Sequence, residues 1–389
     1  MGSSSLRFNL FSSKDLSSIC NGVCENIGNS LSSLTYFFKN KKTIVKKSIE
    51  NHKKAFSLIK KILLDGEDAP IKDLYEIKII GHRVVHGGRY FKSPQLVDSY
   101  VIGKIRSLIS LAPIHNSINL EGILDCQLEF PGISQIAVFD TSFFCDLPEK
   151  VKTYPIPYKL SKVYRIEKYG FHGISHEWAY SRYKTLFGTK ECKLISCHLG
   201  SGSSVCAIDK GNPIDISMGL TPLGGLMMGT RSGSIDPSVV TYLISRSGMS
   251  AKDIDDMLNK RSGLIGVSEF SHDIRELIKN GDHKCNLALD MYVYRIVKYI
   301  GAYFFSLGGA DSIVFTGGIG ENSIEIRDQV CKYLNFLGAN LDNSLNSQTI
   351  SGKEGIISYK NSSIKICVIK TNEELAIATK ILEIFNFRE

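Results

Sequence analysis

Apolar and polar positions alternate through Leu6, Phe8 and Leu10 in the opening "MGSSSLRFNLF". This two-residue period predicts a strand. Gly2 to Ser5 ahead of it predict a turn, because glycine tolerates unusual backbone angles and serine hydroxyls bond nearby amides. Farther on, "YEIKIIGHRVV" reads as a strand, "VIGKIRSLISLA" as a helix and "ISQIAVFD" as a strand again. Alternation of this kind predicts an α/β chain. In "CKLISCHLGSGSSVCAIDKG" the run Lys193 to Leu199 enters a glycine-serine turn and Val205 to Asp209 leaves it, which predicts a hairpin. The opening looks like the same unit with its first strand removed. A third glycine-rich turn, in "SIVFTGGIGENSIEIRDQV", follows the apolar run Ile313 to Phe315 and precedes a helix-like stretch. The periodic pattern breaks after Asp140, where Pro148, Pro155 and Pro157 mark the expected junction, and a second half begins near Lys168.

Composition sharpens this picture at few points. With 389 residues, 43% hydrophobic and 22% charged, the chain has room for two domains, each with its own core. The formal net charge is +8, and much of the excess sits between Lys39 and Lys61 (Lys41, Lys42, Lys46, Lys47, Lys53, Lys54 and Lys60 among them). The expectation is a solvated helix face and no nucleic-acid partner, since no aromatic interleaving accompanies the lysines. No stretch reaches the ~20 apolar residues that span a bilayer, and no signal peptide is visible, so no membrane partner is expected. The start partly matches a myristoylation pattern, but Leu6 occupies the position that needs Ser or Thr. Ten cysteines are scattered without metal-binding spacing, which points to reduced thiols in a cytoplasmic protein.

The candidate chemistry lies at strand ends and glycine turns. Glycines after a strand let backbone amides approach a ligand, and a following helix start favours negative charge. The third turn is therefore a phosphate-loop candidate, although it fits neither the P-loop nor the dinucleotide fingerprint. Tight turns without a ligand are the alternative. Arg83 sits inside an apolar run between His82 and His86. Its burial requires an anion, either a ligand or an internal carboxylate. Asp140 ends a buried-looking strand, a usual place for a functional carboxylate, though it could also cap the next segment. His82 with His86, and His172 with His176, are four apart, but the glycines around them argue against regular helices, and zinc is the weakest reading. Arg231 lies among glycines and serines whose small side chains suit approach to a phosphate. Together these groups suggest phosphoryl transfer.

The stretches "GSSSLRFNLF", "GHRVVHGG", "LAPIHN", "VFDTSF", "KYGFHGISH", "CHLGSGSS", "SMGLTPLGGLMMGTRSGSIDP", "SGLIGVS", "HDIREL", "VFTGGIGENS" and "TNEELAIA" run in order from end to end. In this order they resemble the acetate and propionate kinase family, and only about Ser12 to Glu76 is poorly matched. The resemblance implies a two-domain α/β fold of the actin-like, sugar-kinase and heat-shock-ATPase (ribonuclease H-like) type. It implies an N-terminal domain over residues 1–143 joined by a C-terminal helix at about 375–389, and a nucleotide-binding domain over 144–374. It also implies a homodimer, an active site between the domains, and transfer of the ATP γ-phosphoryl group to acetate with Mg2+. Asp140, His172, Arg231 and Arg83 would be catalytic. Arg83, Val85, Ile114, Phe171 and Pro222 would bind acetate or another short carboxylate. The nucleotide would lie against Arg7, His198, Leu199, Gly200, Ser201, Gly202, Asp273, Ile274, Arg275, Gly318, Ile319, Gly320, Glu321 and Asn322, and Glu373 would help hold the metal.

The chain departs from the family pattern at several points. Ser201 stands where asparagine is usual, Arg7 replaces a lysine, and Ile114 sits where leucine is common. The family also has a strand ending in an asparagine-alanine pair immediately before the glycine-serine loop. Met1 takes the alanine position, so this strand and its metal-associated asparagine are expected to be missing. Such a strand could bury three or more apolar side chains at roughly 1.5 to 3 kcal/mol each, comparable with the ~5 to 15 kcal/mol stability of a whole domain. A misread start, a truncation rescued by substitute pairing, or a decayed protein would each explain it. The alternatives to an acetate kinase are a propionate or butyrate kinase of the same fold and a non-catalytic nucleotide-binding relic.

Overall fold

The computed structural model describes residues 4–66, 69–189 and 191–385, with the side chains of Ile114 and Phe385 outside the description. Gly2 and Ser3 of the predicted first turn, and residues 386–389 of the predicted C-terminal helix, also lie outside the described residues. The chain divides into two compact units, Met1–Cys145 with Asn372–Glu389, and Asp146–Thr371.

In the first unit the alternation at Leu6, Phe8 and Leu10 becomes β1 (Leu6–Phe11), which heads an antiparallel sheet with β2 (Ser18–Glu25), β3 (Ser33–Phe38) and β4 (Lys41–Lys46). Its inner face carries Leu6, Cys20, Cys24 and Leu34 onto Ala55, Ile59 and Leu63 of α1 (His52–Leu64). These three helix residues recur every four positions, which puts them on one face. The lysine-rich stretch is therefore not one helix face. Lys41, Lys42 and Lys46 belong to β4, and Lys53, Lys54, Lys60 and Lys61 belong to α1. Consecutive positive φ values at Lys39 and Asn40 make a tight hairpin turn, and the β-branched Thr43, Ile44 and Val45 favour the strand after it.

A second sheet follows, built from β5 (Ile79–Val84), β6 (Gln95–Leu96) and, beyond α2 (Ser99–Ser107) and α3 (Pro113–Glu129), β7 (Ser134–Phe139). Its order is β5-β7-β6, with β5 and β7 parallel. One face packs Val84, Ala137 and Phe139 against Val101, Ile105, Leu120 and Ile123 of α2 and α3. Among the described residues no strand joins the two sheets, and β1 and β5 each pair on one side only.

The second unit holds α4 (Glu149–Lys152), α5 (Tyr158–Tyr164), α6 (Gly173–Phe187), β8 (Lys193–Leu199), β9 (Ser203–Asp209) and β10 (Asn212–Ile216). These are followed by α7 (Ser238–Ser247), α8 (Ala251–Lys260), α9 (Gly263–Ser268), α10 (Ile274–Asn280) and α11 (His283–Leu307). Next come β11 (Ser312–Thr316), α12 (Gly317–Asn322), α13 (Ile324–Lys332), α14 (Asn343–Gln348), β12 (Gly355–Ile356) and β13 (Lys365–Val368). The sheet order is β10-β9-β8-β11-β13-β12, with β11 parallel to both neighbours. Every residue of β11 is buried, as expected of a strand covered on both faces. Tyr292, Ile296, Ile300 and Tyr303 of α11 share one core with Ile195, Val205 and Ile313 of the sheet. Full burial of each such aliphatic side chain contributes about 1.5–3 kcal/mol.

The β8–β9 hairpin, the strand β11 and the mixed α/β class are those expected from the sequence. Two local expectations fail. His176 lies in the regular helix α6 despite the nearby glycines, while His172 stands at its N-cap, where it and Gly170 absorb the positive φ before the helix begins. The third glycine turn is itself helical, as α12. Gly317 alone takes the left-handed angle (φ +78), and a Cβ there would stand 2.7 Å from the Leu199 carbonyl oxygen.

The chain returns to the first unit through α15 (Glu373–Phe385). This helix packs so closely on β5 that a Cβ at Gly81 would lie 2.6 Å from Ile381. None of the ten cysteines forms a disulfide, and all but Cys145 are buried. Among the described residues no helix is long and apolar enough to cross a membrane.

Candidate functional site

In the first unit, parallel pairing sets Arg83 of β5 beside Val138 of β7, and the Asp140 N–H extends that ladder to the Val84 carbonyl at 3.0 Å. The Asp140 carboxylate therefore meets the Arg83 guanidinium. Nε donates to Oδ1 at 3.2 Å and Oδ2 at 3.1 Å, and Nη2 donates to Oδ2 at 2.6 Å. Nη1 donates to Glu373 Oε2 at 2.6 Å. Glu373 is placed by the start of α15, where Asn372 Oδ1 accepts from the Leu375 N–H. Burial by itself lowers the Arg83 pKa, but the charges of Asp140 and Glu373 outweigh it and raise the value. The internal ion pair is thus realised. Of the five guanidinium donors, Nε and one on each terminal nitrogen are committed, which among the described residues leaves one N–H on Nη1 and one on Nη2.

The segment after β5 is fixed by buried asparagines of α3. Asn119 Oδ1 accepts from the Val85 N–H, and Asn116 bonds both the N–H and the carbonyl of His86. Val85 is held by its backbone, with its side chain half-buried.

In the second unit, β8 and β11 run side by side, so their following turns emerge together. The Gly200 N–H donates to the Gly202 carbonyl at 3.1 Å, and a Cβ at Gly200 would approach the Gly318 nitrogen to 3.9 Å. The α6 start lies over the first turn. His172 takes a left-handed backbone angle (φ 59, ψ 25), uncommon for a residue with a Cβ. Its Nδ1 and Ser204 Oγ are 2.9 Å apart, and its ring lies 4.4 Å from that of His198. A Cβ at Gly202 would stand 3.3 Å from the His172 ring and 3.6 Å from Arg231 Nη1. His172, His198, Gly202 and Arg231 are thereby gathered.

Beneath them, His176 bonds Ser196 Oγ at 2.9 Å through Nδ1 and Ser204 Oγ at 2.8 Å through Nε2. Burial, and then the nearby His198, push its pKa well below the ordinary histidine value, so it stays neutral. His198 Nδ1 is 2.7 Å from Ser175 Oγ. Arg231 is held differently from Arg83. Its Nη1 reaches the Pro222 carbonyl at 3.4 Å and lies 3.8 Å from Met228 Sδ, and among the described residues no carboxylate is within ion-pair distance. Burial lowers its pKa. It remains a cation, since arginine does not lose its proton in proteins.

A model of the Acetokinase family matches residues 1–379. The chain belongs to the acetokinase family. The acetate kinase of Thermotoga maritima is 45% identical, covering 98% of this chain and 96% of its own length. That of Caldanaerobacter subterraneus subsp. tengcongensis is also 45% identical, over 97% and 95%. Among solved structures, Porphyromonas gingivalis acetate kinase superimposes with a TM-score of 0.90 at 40% identity, covering 99% of this chain and 98% of that one. A Francisella tularensis propionate kinase gives a TM-score of 0.91 at 40% identity, covering 97% and 96%.

The remaining residues that the acetokinase resemblance implies fall as follows. Leu199 is buried at the end of β8, and Ser201 accepts from the Gly229 N–H through its carbonyl. Gly318, Ile319, Gly320, Glu321 and Asn322 make up α12, in which Asn322 Nδ2 donates to the Gly318 carbonyl and Glu321 Oε1 accepts from the Thr371 N–H. Asp273 caps α10 and pairs with the exposed Arg275, while Ile274 belongs to the core. Phe171 is buried next to His172, and Pro222 touches Arg231 through its carbonyl. Arg7 lies in β1, a different sheet from Arg83. The Ile114 side chain lies outside the described residues.

Sequence reasoning missed the supporting layer, namely Ser175, Ser196, Ser204, Asn116, Asn119 and Thr371. A signal existed for some of them, since serines that interrupt apolar strands must find a partner when buried. The oxygen donors of Asp140 and Glu373 suit Mg2+, which commonly takes one or two carboxylates and fills the rest of its shell with water and phosphate. Among the described residues no cluster of three or more metal-binding side chains exists.

Proposed function

We propose that the protein transfers the γ-phosphoryl group of ATP to acetate, giving acetyl phosphate and ADP, and that it also catalyses the reverse reaction. A carboxylate oxygen forms the new bond to phosphorus while the bond to the ADP oxygen breaks. A carboxylic acid of pKa roughly 4 to 5 is already ionised at neutral pH, so no general base is needed. The obstacle is repulsion between two anions. The observation that carries this function is Arg231, a half-buried cation with no carboxylate within ion-pair distance among the described residues, beside His172 and Gly202 in an acetokinase chain.

Arg231 and His172 brace the oxygens of the transferring group, where charge spreads in a loosely bonded transition state. Arg83 offers its two remaining N–H groups to the acetate carboxylate, and Asp140 holds that guanidinium in place. Val85, Ile114, Phe171 and Pro222 are the carboxylate-binding residues that the acetokinase resemblance implies. Glu373, with Asp140, would hold Mg2+, which when bound neutralises phosphate charge. The nucleotide uses Leu199–Gly202, Gly318–Asn322 and the Asp273–Arg275 segment, with Arg7 as a further contact.

Hydroxylamine trapping tests the activity directly. Acetyl hydroxamate should accumulate with ATP, Mg2+ and acetate, and nucleotide binding without hydroxamate would leave the non-catalytic relic. The similarity to a propionate kinase favours propionate as a second acceptor. One added methylene is worth only about 1–3 kcal/mol, so specificity constants for acetate, propionate and butyrate must be compared.

The likeness to the family and one surface feature support a homodimer. No residue of α7 is buried, and Val239 and Tyr242, three apart and so on one face, are 41% and 61% exposed. An apolar helix face of this kind marks an interaction surface. Light scattering should give twice the chain mass for the wild type and less for Tyr242→Asp. A cytoplasmic location is supported by ten cysteines that form no disulfide.

A further inference from the structure

Arg327 of α13 is fully buried, and among the described residues it has no carboxylate partner. Main-chain carbonyls and one amide satisfy it instead. Nε donates to Asn346 Oδ1 at 2.7 Å, Nη1 to the carbonyls of Gly320 and Glu321 at 2.9 and 2.7 Å, and Nη2 to those of Asn346 and Thr349 at 2.8 and 3.0 Å. All five guanidinium donors are used. Gly320 and Glu321 close α12, and Asn346 and Thr349 close α14. Two helix carbonyl ends, each carrying partial negative charge, converge on one cation and take the place of a counter-ion. Asn346 Nδ2 returns to the Ile324 carbonyl at 3.1 Å, and the Ser351 N–H donates to Asn322 Oδ1 at 3.0 Å.

A side chain needed only to fill this space would be apolar, because burying a cation is costly unless its hydrogen bonds specify something. What these bonds specify is the tilt of α12. We propose that Arg327 is a positioning residue for the nucleotide: it locks Gly317–Asn322 against α14, so that this segment keeps a fixed attitude to the Leu199–Gly202 turn. This role rests on the assignment of Gly318–Asn322 to nucleotide binding. Arg327 touches no substrate and acts through α12.

The test compares Arg327→Met, Arg327→Lys and Asn346→Ala with the wild type. The readouts are KM for ATP, KM for acetate, and Kd for a fluorescent ADP analogue. In Arg327→Met both nucleotide constants should rise about tenfold or more while KM for acetate stays within about twofold, since misplacement of this size is costly in a preset site. Arg327→Lys should fall between, keeping the charge without the fork. Added methylguanidinium should recover part of the nucleotide affinity of Arg327→Met. Should that variant fail to fold, Asn346→Ala removes one acceptor and should raise the nucleotide constants about threefold. Unchanged nucleotide affinity in the folded variants would overturn the role, as would equal losses for ATP and acetate. A wild type that does not bind the ADP analogue would overturn the nucleotide assignment, and the role with it.

Discussion

Arg83 and Arg231 are arginines in apolar surroundings that the protein treats in opposite ways. Arg83 grips two carboxylates, so its cluster of Arg83, Asp140 and Glu373 carries one net negative charge. Arg231 has a carbonyl and a thioether for neighbours and, among the described residues, no carboxylate to compensate its charge. A compensated guanidinium lends fixed N–H geometry but little field. An uncompensated, desolvated one lends field where a phosphoryl group gathers charge. The proposed roles, orientation of the acceptor by Arg83 and stabilisation of the transferring group by Arg231, rest on this contrast.

The largest effect should come from removing the uncompensated charge. Arg231→Ala is expected to lower kcat by on the order of 1000-fold or more, with the ADP analogue bound almost as well as by the wild type. Near-normal turnover would erase the contrast. The compensated side should respond more mildly and in two distinguishable ways. Asp140→Asn loosens Arg83 and should reduce kcat/KM for acetate by roughly 100-fold, as misplacement of a substrate-positioning group does. Glu373→Gln should instead raise the Mg2+ concentration needed for half-maximal rate by about 10-fold or more. If both variants lose acetate affinity alike and neither changes the Mg2+ requirement, Glu373 serves Arg83 alone.

A smaller effect concerns one neutral histidine in each unit. Burial holds His82 at a pKa of about 4, partly countered by its hydrogen bond with Gln135, and it holds His176 lower than usual too. The unfolded chain binds these protons at ordinary histidine values, so the stabilisation is complete above about pH 6.5 and declines as pH falls toward 4. Denaturant titrations at pH 7 and pH 4.5 should differ by on the order of 1–3 kcal/mol for His82 alone, and His82→Gln should remove that share.

The two arginines were legible in the sequence to different degrees. Arg83 stood out because a cation inside an apolar run demands an anion, but that Asp140 supplies it follows from the parallel pairing of β5 and β7, which the spacing alone did not show. Glu373 could not be paired with Arg83 from spacing, since the two are brought together by α15 folding back on β5 through the close approach at Gly81. Arg231 was found from its small neighbours, but its lack of a carboxylate is a property of the folded loop. The β8–β9 hairpin was readable from alternation. The lysine stretch was misjudged because charge alone does not separate an edge strand from a helix, and the tight turn at Lys39 and Asn40 decided the matter. Arg327 escaped notice because its partners are mostly backbone carbonyls, which leave no trace in residue type.

The buried thiols make the protein its own stopwatch. Cys20 and Cys24 sit in the core beneath β1–β4 with pKa values pushed up to about 11, so hardly any thiolate exists at neutral pH while that core stays shut. Cys197 and Cys331 are sealed in the other unit by the same cause. Alkylation followed peptide by peptide would therefore time the opening of each core separately, with no label added to the chain.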